Sequence, residues 1–260
     1  MRRILIVLLL LLCGCNDGGG NSFPWKSQPH LGAIPPVIGK WFTPSATVGF
    51  DTTVYHAAGD TTPIPPFVAA LAAQSAQQAI GEVIPYCKAF GLSFTNSGQS
   101  SANSIQPLVT VRFYYGPWKT KEKSTFVLGE SKIILPPFAD SLIVSSKTSS
   151  AYATPPPASS NYLGCAYVSA QDKNIHGAVV WINAYVWQDL KQQAASRPEL
   201  HMDWQAIAAQ FENSVTWHEL FHVVGLNDDP LGTAPGLMVY RARTPRPSQT
   251  EADVCAWLYK

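Results

Sequence analysis

Apolar positions along the chain change their period several times, and each change predicts an element. After an apolar run at residues 4–12, residues 23–48 carry Pro24, Pro29, Pro35, Pro36 and Pro44 and are expected to wrap the surface in extended form. Residues 48–56 predict a first strand. From Pro65 onward, Val68, Leu71, Ala72, Ala76, Ala79, Ile80 and Val83 recur at helical spacing. They predict a long Ala/Gln-rich helix to about residue 84, opened by proline and stopped by Pro85. Residues 108–115 are rich in β-branched and aromatic side chains and predict a strand. Further strands are expected at 131–135, 142–145, 165–169 and 177–186. Between 145 and 161 lies a Ser/Thr/Pro stretch with Pro155, Pro156 and Pro157. The segments after it are too incomplete to fold alone, so it reads as an exposed loop within one domain.

Two helices close the pattern. Asp203 suits an N-cap, and Trp204, Ala208, Phe211 and Val215 come next at spacings of four, three and four, predicting a helix to about Val224. Continuing that stripe by three and four residues reaches His218 and His222. The face that carries the histidines is therefore the buried face. At the end of the chain, Ser248-Gln249-Thr250-Glu251 forms a capping box, followed by Val254, Trp257 and Leu258 at helical spacing.

The chemistry concentrates in residues 218–228, His-Glu-Leu-Phe-His-Val-Val-Gly-Leu-Asn-Asp. His218 and His222 are one helical turn apart, so their imidazoles project from one face and can share one metal ion. Glu219 leans toward the same site without being a ligand, which suits a base acting on water. Gly225 offers a left-handed residue that ends the helix and turns the chain back, bringing Asp228 within reach as a third ligand. Asp229 is the adjacent alternative; spacing favours Asp228. The pattern H-E-x-x-H-x-x-G-x-x-D resembles the long zinc signature of the metzincin endopeptidases, with Asp in place of the commoner third His, as in the snapalysin-like branch. Gly236-Leu237-Met238-Val239-Tyr240 is similar to that family's Met-turn, and residues 247–259 are similar to the closing helix of its matrixin branch.

That resemblance implies an α+β, metzincin-like zincin. Its N-terminal part would hold a mixed twisted sheet, a long helix and the active-site helix. A small irregular C-terminal subdomain, from about residue 226, would carry the closing helix. It further implies one catalytic Zn²⁺ held by His218, His222 and Asp228, with Glu219 as general base, Tyr240 assisting the oxyanion and Met238 in the structural turn. A disulfide between Cys87 and Cys255 is implied by the same resemblance. An Asp ligand lowers the net charge of the metal and its ligands by one, which weakens the Lewis acid and makes metals other than zinc easier to accept. No Cys-containing pro-segment of the matrixin type is present, since Cys87 lacks that surrounding pattern.

Composition sets the compartment and excludes some partners. A net charge of +1 with 13% charged residues carries no footprint for nucleic acid or for a polybasic membrane patch. Arg2 and Arg3 precede the apolar run, which is too short to span a bilayer, and Leu12-Cys13-Gly14-Cys15 resembles a bacterial lipobox with Cys15 lipidated. The other reading is an ordinary secretory signal cleaved nearby. Both put the mature protein outside the cytoplasm. The expected organisation is a signal at 1–14, a flexible tether and Pro-rich lead-in at 15–47, and a catalytic domain at 48–260. Cys87, Cys165 and Cys255 allow one disulfide in three pairings. His30, His56, His176 and His201 read as surface or satisfied polar residues.

The expected function is that of a zinc-dependent endopeptidase, anchored to the cell envelope by lipid and acting as a monomer on protein or peptide substrates. Two alternatives stand beside it: a gluzincin with Glu251 as third ligand, and a non-catalytic binding or adhesion lipoprotein with a structural metal. Retention of Glu219 favours the enzyme, because a structural site has no use for that base.

Overall fold

Over residues 37–89, 91, 93–99, 108–119, 124–128, 131–135, 142–145, 154–157, 162–228, 236–238 and 246–259, this computed structural model describes an α+β chain. These residues lie within one compact unit, Leu31–Lys260. The signal segment, Cys15, His30, Asp229 and Tyr240 lie outside the described residues.

The strands are β1 (Lys40–Trp41), β2 (Ser45–His56), β3 (Ser93–Gln99), β4 (Val109–Tyr115), β5 (Ser124–Leu128), β6 (Ser131–Leu135), β7 (Leu142–Ser145), β8 (Gly164–Gln171) and β9 (Asn174–Asn183). The helices are α1 (Pro66–Ala89), α2 (Tyr185–Ser196), α3 (Trp204–Val224) and α4 (Gln249–Leu258). Seven strands form one mixed sheet in the order β3-β2-β4-β9-β8-β7, with β1 also pairing β9; β5 and β6 form a separate antiparallel pair. All pairings in the large sheet are parallel except β8 with β9. That hairpin turns through Asp172 and Lys173, whose φ values of 50° and 63° suit a two-residue loop matched to the strand twist.

Period-two alternation explains how the sheet is buried on both faces. Val109, Val111, Phe113, Ala166, Val168, Ala178, Val180 and Ile182 join the main core with α1, α2 and α3. The intervening Tyr114, Cys165 and Trp181 form a second cluster, with Tyr55, Tyr167 and Val179 packed against it. On α1 the predicted stripe is buried apart from Leu71, which is half-buried. Among the described residues no helix is long and apolar enough to cross a membrane.

Four expectations change. Residues 37–47, assigned by their prolines to the lead-in, belong to the fold: β1 joins β9, and Trp41 is buried with its indole N–H donating to Val223 O at 2.9 Å. Pro85 does not stop α1, which runs on to Ala89. The proline ring is on the exposed side, where water can serve the carbonyl it frees, while Tyr86 packs on Trp217 and Phe221 with ring centroids 5.5 and 6.0 Å away. The strand predicted at 177–186 ends at Asn183, and helix α2 begins two residues later. The Asn183 side chain enforces this break. Its Oδ1 accepts from Gly116 N and Tyr185 N, and its Nδ2 donates to the carbonyls of Gly116 and Tyr162. Lastly, Cys87 and Cys255 are buried free thiols, not a disulfide. Burial raises both pKa values, which keeps them as unreactive thiols.

Candidate metal centre

Helix α3 carries the site because its sequence gives it a start, a buried face and a firm stop. Asp203 caps it, accepting from Ala206 N at 3.2 Å. Ala208, Phe211 and Val215 are buried and Trp204 is half-buried, so the stripe delivers His218 and His222 to the interior, each without exposed surface. Gly225 ends the helix at φ 117°. A helix end buried this deeply must satisfy its last four carbonyls. Phe221 O accepts from Gly225 N and Leu226 N, His222 O from Gly225 N, Val223 O from Trp41 Nε1, and Val224 O from the Tyr259 hydroxyl. None is left over.

A side chain at 225 would meet both a left-handed backbone and the chain above it, since a Cβ would sit 2.0 Å from Gly39 O. Gly225→Ala is therefore expected to destabilise the fold by about 2–4 kcal/mol and to weaken metal binding, because the turn that carries Asp228 must shift. Urea denaturation and metal titration of the variant check this; wild-type values in both would contradict it.

Beyond the turn, Asp228 faces both histidines. Its Oδ1 is 3.4 Å from His218 Nε2 and its Oδ2 is 3.6 Å from His222 Nε2. The two imidazole centroids are 4.7 Å apart, with ring planes at 84°. One potential ligand atom from each of His218, His222 and Asp228 lies within 4.8 Å of the others, so the three could hold a metal ion. The far side of each ring supports that use. His218 Nδ1 is 3.1 Å from Leu237 O, and His222 Nδ1 is 2.9 Å from Leu226 O. A carbonyl can only accept, so each Nδ1 carries the proton and each Nε2 presents a lone pair toward Asp228. Two nitrogen donors and one carboxylate suit zinc and harder divalent ions alike.

The carbonyl behind His218 is itself fixed from α4. Glu251 accepts from Leu237 N at 3.0 Å and from Met238 N at 2.6 Å, and it also closes the capping box with Ser248. This buried carboxylate ties the closing helix to the turn and, through Leu237, sets the orientation of His218. It is committed there and is not part of the ligand group, which removes the Glu251-ligand alternative. Met238 is fully buried in the same turn.

Glu219 is fully buried next to the ligands and lies against the start of β8, where Gly164 leaves room for it. Tyr114, at the end of β4, is close enough that Glu219 helps raise its pKa, after burial and Cys165. The protonated phenol donates to Tyr162 O. The remaining described histidines, His56, His176 and His201, are exposed and away from the ligand group.

Sequence reasoning missed Trp41, Tyr259, Asn183 and Gly164. Only Gly164 carries a local signal, as an isolated glycine beside a strand, which often marks close approach of another group. The other three act through contacts far along the chain.

No family model matches the chain, and no curated protein matches it. Among solved structures, the chain is similar to one described as the GM1 bound form of the ECX AB5 holotoxin. The identity is 9% and the TM-score 0.38, over 84% of this chain and 81% of that one.

Proposed function

We propose that the protein is a zinc-dependent endopeptidase, held outside the cytoplasm through a lipid on Cys15 and cleaving protein or peptide substrates. One observation carries the reading: a buried carboxylate outside the His-His-Asp group, Glu219, directly follows the first of its two buried histidines. The order of strand, long helix, further strands and, after α2, the site-bearing helix is compatible with the α+β arrangement that the resemblance implies.

The residues divide the work. His218, His222 and Asp228 would hold the ion, with Leu237 O and Leu226 O keeping both imidazoles in the ligating tautomer. A bound zinc ion supplies Lewis acidity, which makes water a better nucleophile and a carbonyl a better electrophile. Glu219 accepts the proton that the attacking water loses as its oxygen bonds to the carbonyl carbon. It then delivers that proton to the amide nitrogen as the C–N bond breaks. Tyr240, by resemblance, assists the developing oxyanion.

A peptide-library digest with and without chelator, run beside metal analysis, tests the proposal. About one zinc per chain and chelator-sensitive internal cleavage are expected. Asp228→Ala should weaken metal binding by more than about 100-fold and remove cleavage with it. Cleavage that survives complete metal removal would rule the mechanism out. Metal binding without any cleavage would favour the binding or adhesion lipoprotein.

A further inference from the structure

Glu219 and the first residue of β8 fit together more closely than any side chain at 164 would allow. A Cβ on Gly164 would lie 2.2 Å from Glu219 Oε1 and 2.7 Å from both its Cδ and its Cγ. All three close contacts are to the Glu219 side chain, none to backbone. Gly164 is not among the glycines with positive φ, so its conformation is one that alanine can adopt. Neither a turn nor strain calls for glycine here, and glycine inside a strand weakens it. The one thing its bare backbone achieves is room for the Glu219 carboxylate.

That backbone is also held firmly in place. Gly164 pairs with Ile182 in the β8–β9 hairpin. Two residues earlier, Tyr162 O receives the Tyr114 hydroxyl and, at 3.1 Å, the Asn183 amide. Asn183 is anchored in turn by Gly116 and Tyr185. With that backbone held by these bonds, the Glu219 side chain, fully buried, is what must shift if a Cβ is added at 164.

We infer that Gly164 is a positioning residue: its bare backbone fixes where the Glu219 carboxylate sits beside His218, His222 and Asp228, and a side chain there displaces the base while leaving the ligands alone. This rests on the proposed role of Glu219 as general base. The test is a double-mutant cycle on the full-length protein, comparing Gly164→Ala, Glu219→Ala and the two combined, read by kinetics, metal titration and thermal unfolding. Gly164→Ala should bind one zinc with wild-type affinity and keep KM within about twofold. Its kcat should fall about 100-fold, as expected when a catalytic group moves by about 1 Å. The acid limb of its kcat/KM profile should move as well, which a purely structural defect would not cause. In unfolding, whatever Gly164→Ala costs should vanish in the Glu219→Ala background, where the clashing side chain is gone. This second readout remains informative even if Gly164→Ala proves too unstable for kinetics. Wild-type kcat and pH profile in Gly164→Ala, or an equal stability loss in both backgrounds, would overturn the inference. If Glu219→Ala itself cleaves at the wild-type rate, the proposed function fails instead, and the stability cycle still reports on the contact.

Discussion

Replacing Glu219 with Gln is expected to lower kcat for peptide hydrolysis by about 10³-fold while leaving metal stoichiometry and affinity unchanged. A positioned general base contributes on the order of 10²–10⁴ in rate, and no other carboxylate is free for that role among the described residues: Asp228 belongs to the three-residue group that could hold a metal ion, and Glu251 is taken up by the 237–238 turn. Glutamine keeps the length and volume that fit against Gly164, so the packing around position 219 should survive. It cannot accept and return a proton at neutral pH. Metal binding should be indifferent, because both imidazoles are held from behind by Leu237 O and Leu226 O. The measurement is kcat and KM on an internally quenched peptide together with zinc per chain by elemental analysis. An unchanged kcat would exclude Glu219 as the base. Loss of zinc would mean that the residue holds the site together instead of acting in it.

How much of the fold and the site is legible in the sequence depends on how local each cause is. Helix α3 and its candidate ligands can be read because every determinant lies between 203 and 228: a cap, a stripe at helical spacing, a glycine stop and an acid three residues later. The capping box of α4 is equally local, but the larger role of Glu251 depends on Leu237 and Met238 meeting it in space. Helix α2 is hidden for a related reason. The largely apolar stretch 177–186 reads as one strand unless Asn183 is known to gather the backbone of Gly116, Tyr162 and Tyr185. Strand β3, Ser-Phe-Thr-Asn-Ser-Gly-Gln, sits at a sheet edge and shows no apolar alternation to announce it. Pro85 illustrates the reverse, a strong local signal overridden because Tyr86 and Cys87 pack beyond it. The site is thus mostly local, while its supports are mostly not.

Substituting Glu212 with Gln is expected to stabilise the protein at pH 8 by several kcal/mol and to leave it nearly unchanged at pH 5. Glu212 lies on α3 two turns before Glu219 and is fully buried. Trp187 on α2 donates its indole N–H to Oε1 at 3.0 Å. Leu163, Ile182, Asn183, Val186, Phe211 and Val215 surround it. Burial raises its pKa from 4.5 to about 8, against the smaller lowering effects of hydrogen bonds with Trp187 and Ser75. The sign comes from proton counting. Between those two values the folded chain keeps the proton and the unfolded chain loses it, so stability falls as pH rises across the window. At about 1.4 kcal/mol per pH unit, the full span is on the order of 5 kcal/mol, a large fraction of a typical domain's stability. Glutamine can still accept from Trp187 and never ionises, so the variant should lose this slope. Urea unfolding at pH 5, 6, 7 and 8 measures it directly: the difference between variant and wild type should open steadily with pH and level off above 8. A difference independent of pH would mean that Glu212 enters the folded core already ionised. That outcome would require an ionised carboxylate deep in the core with the Trp187 indole and Ser75 as its hydrogen-bond partners, which the desolvation cost of a buried charge makes the costlier arrangement.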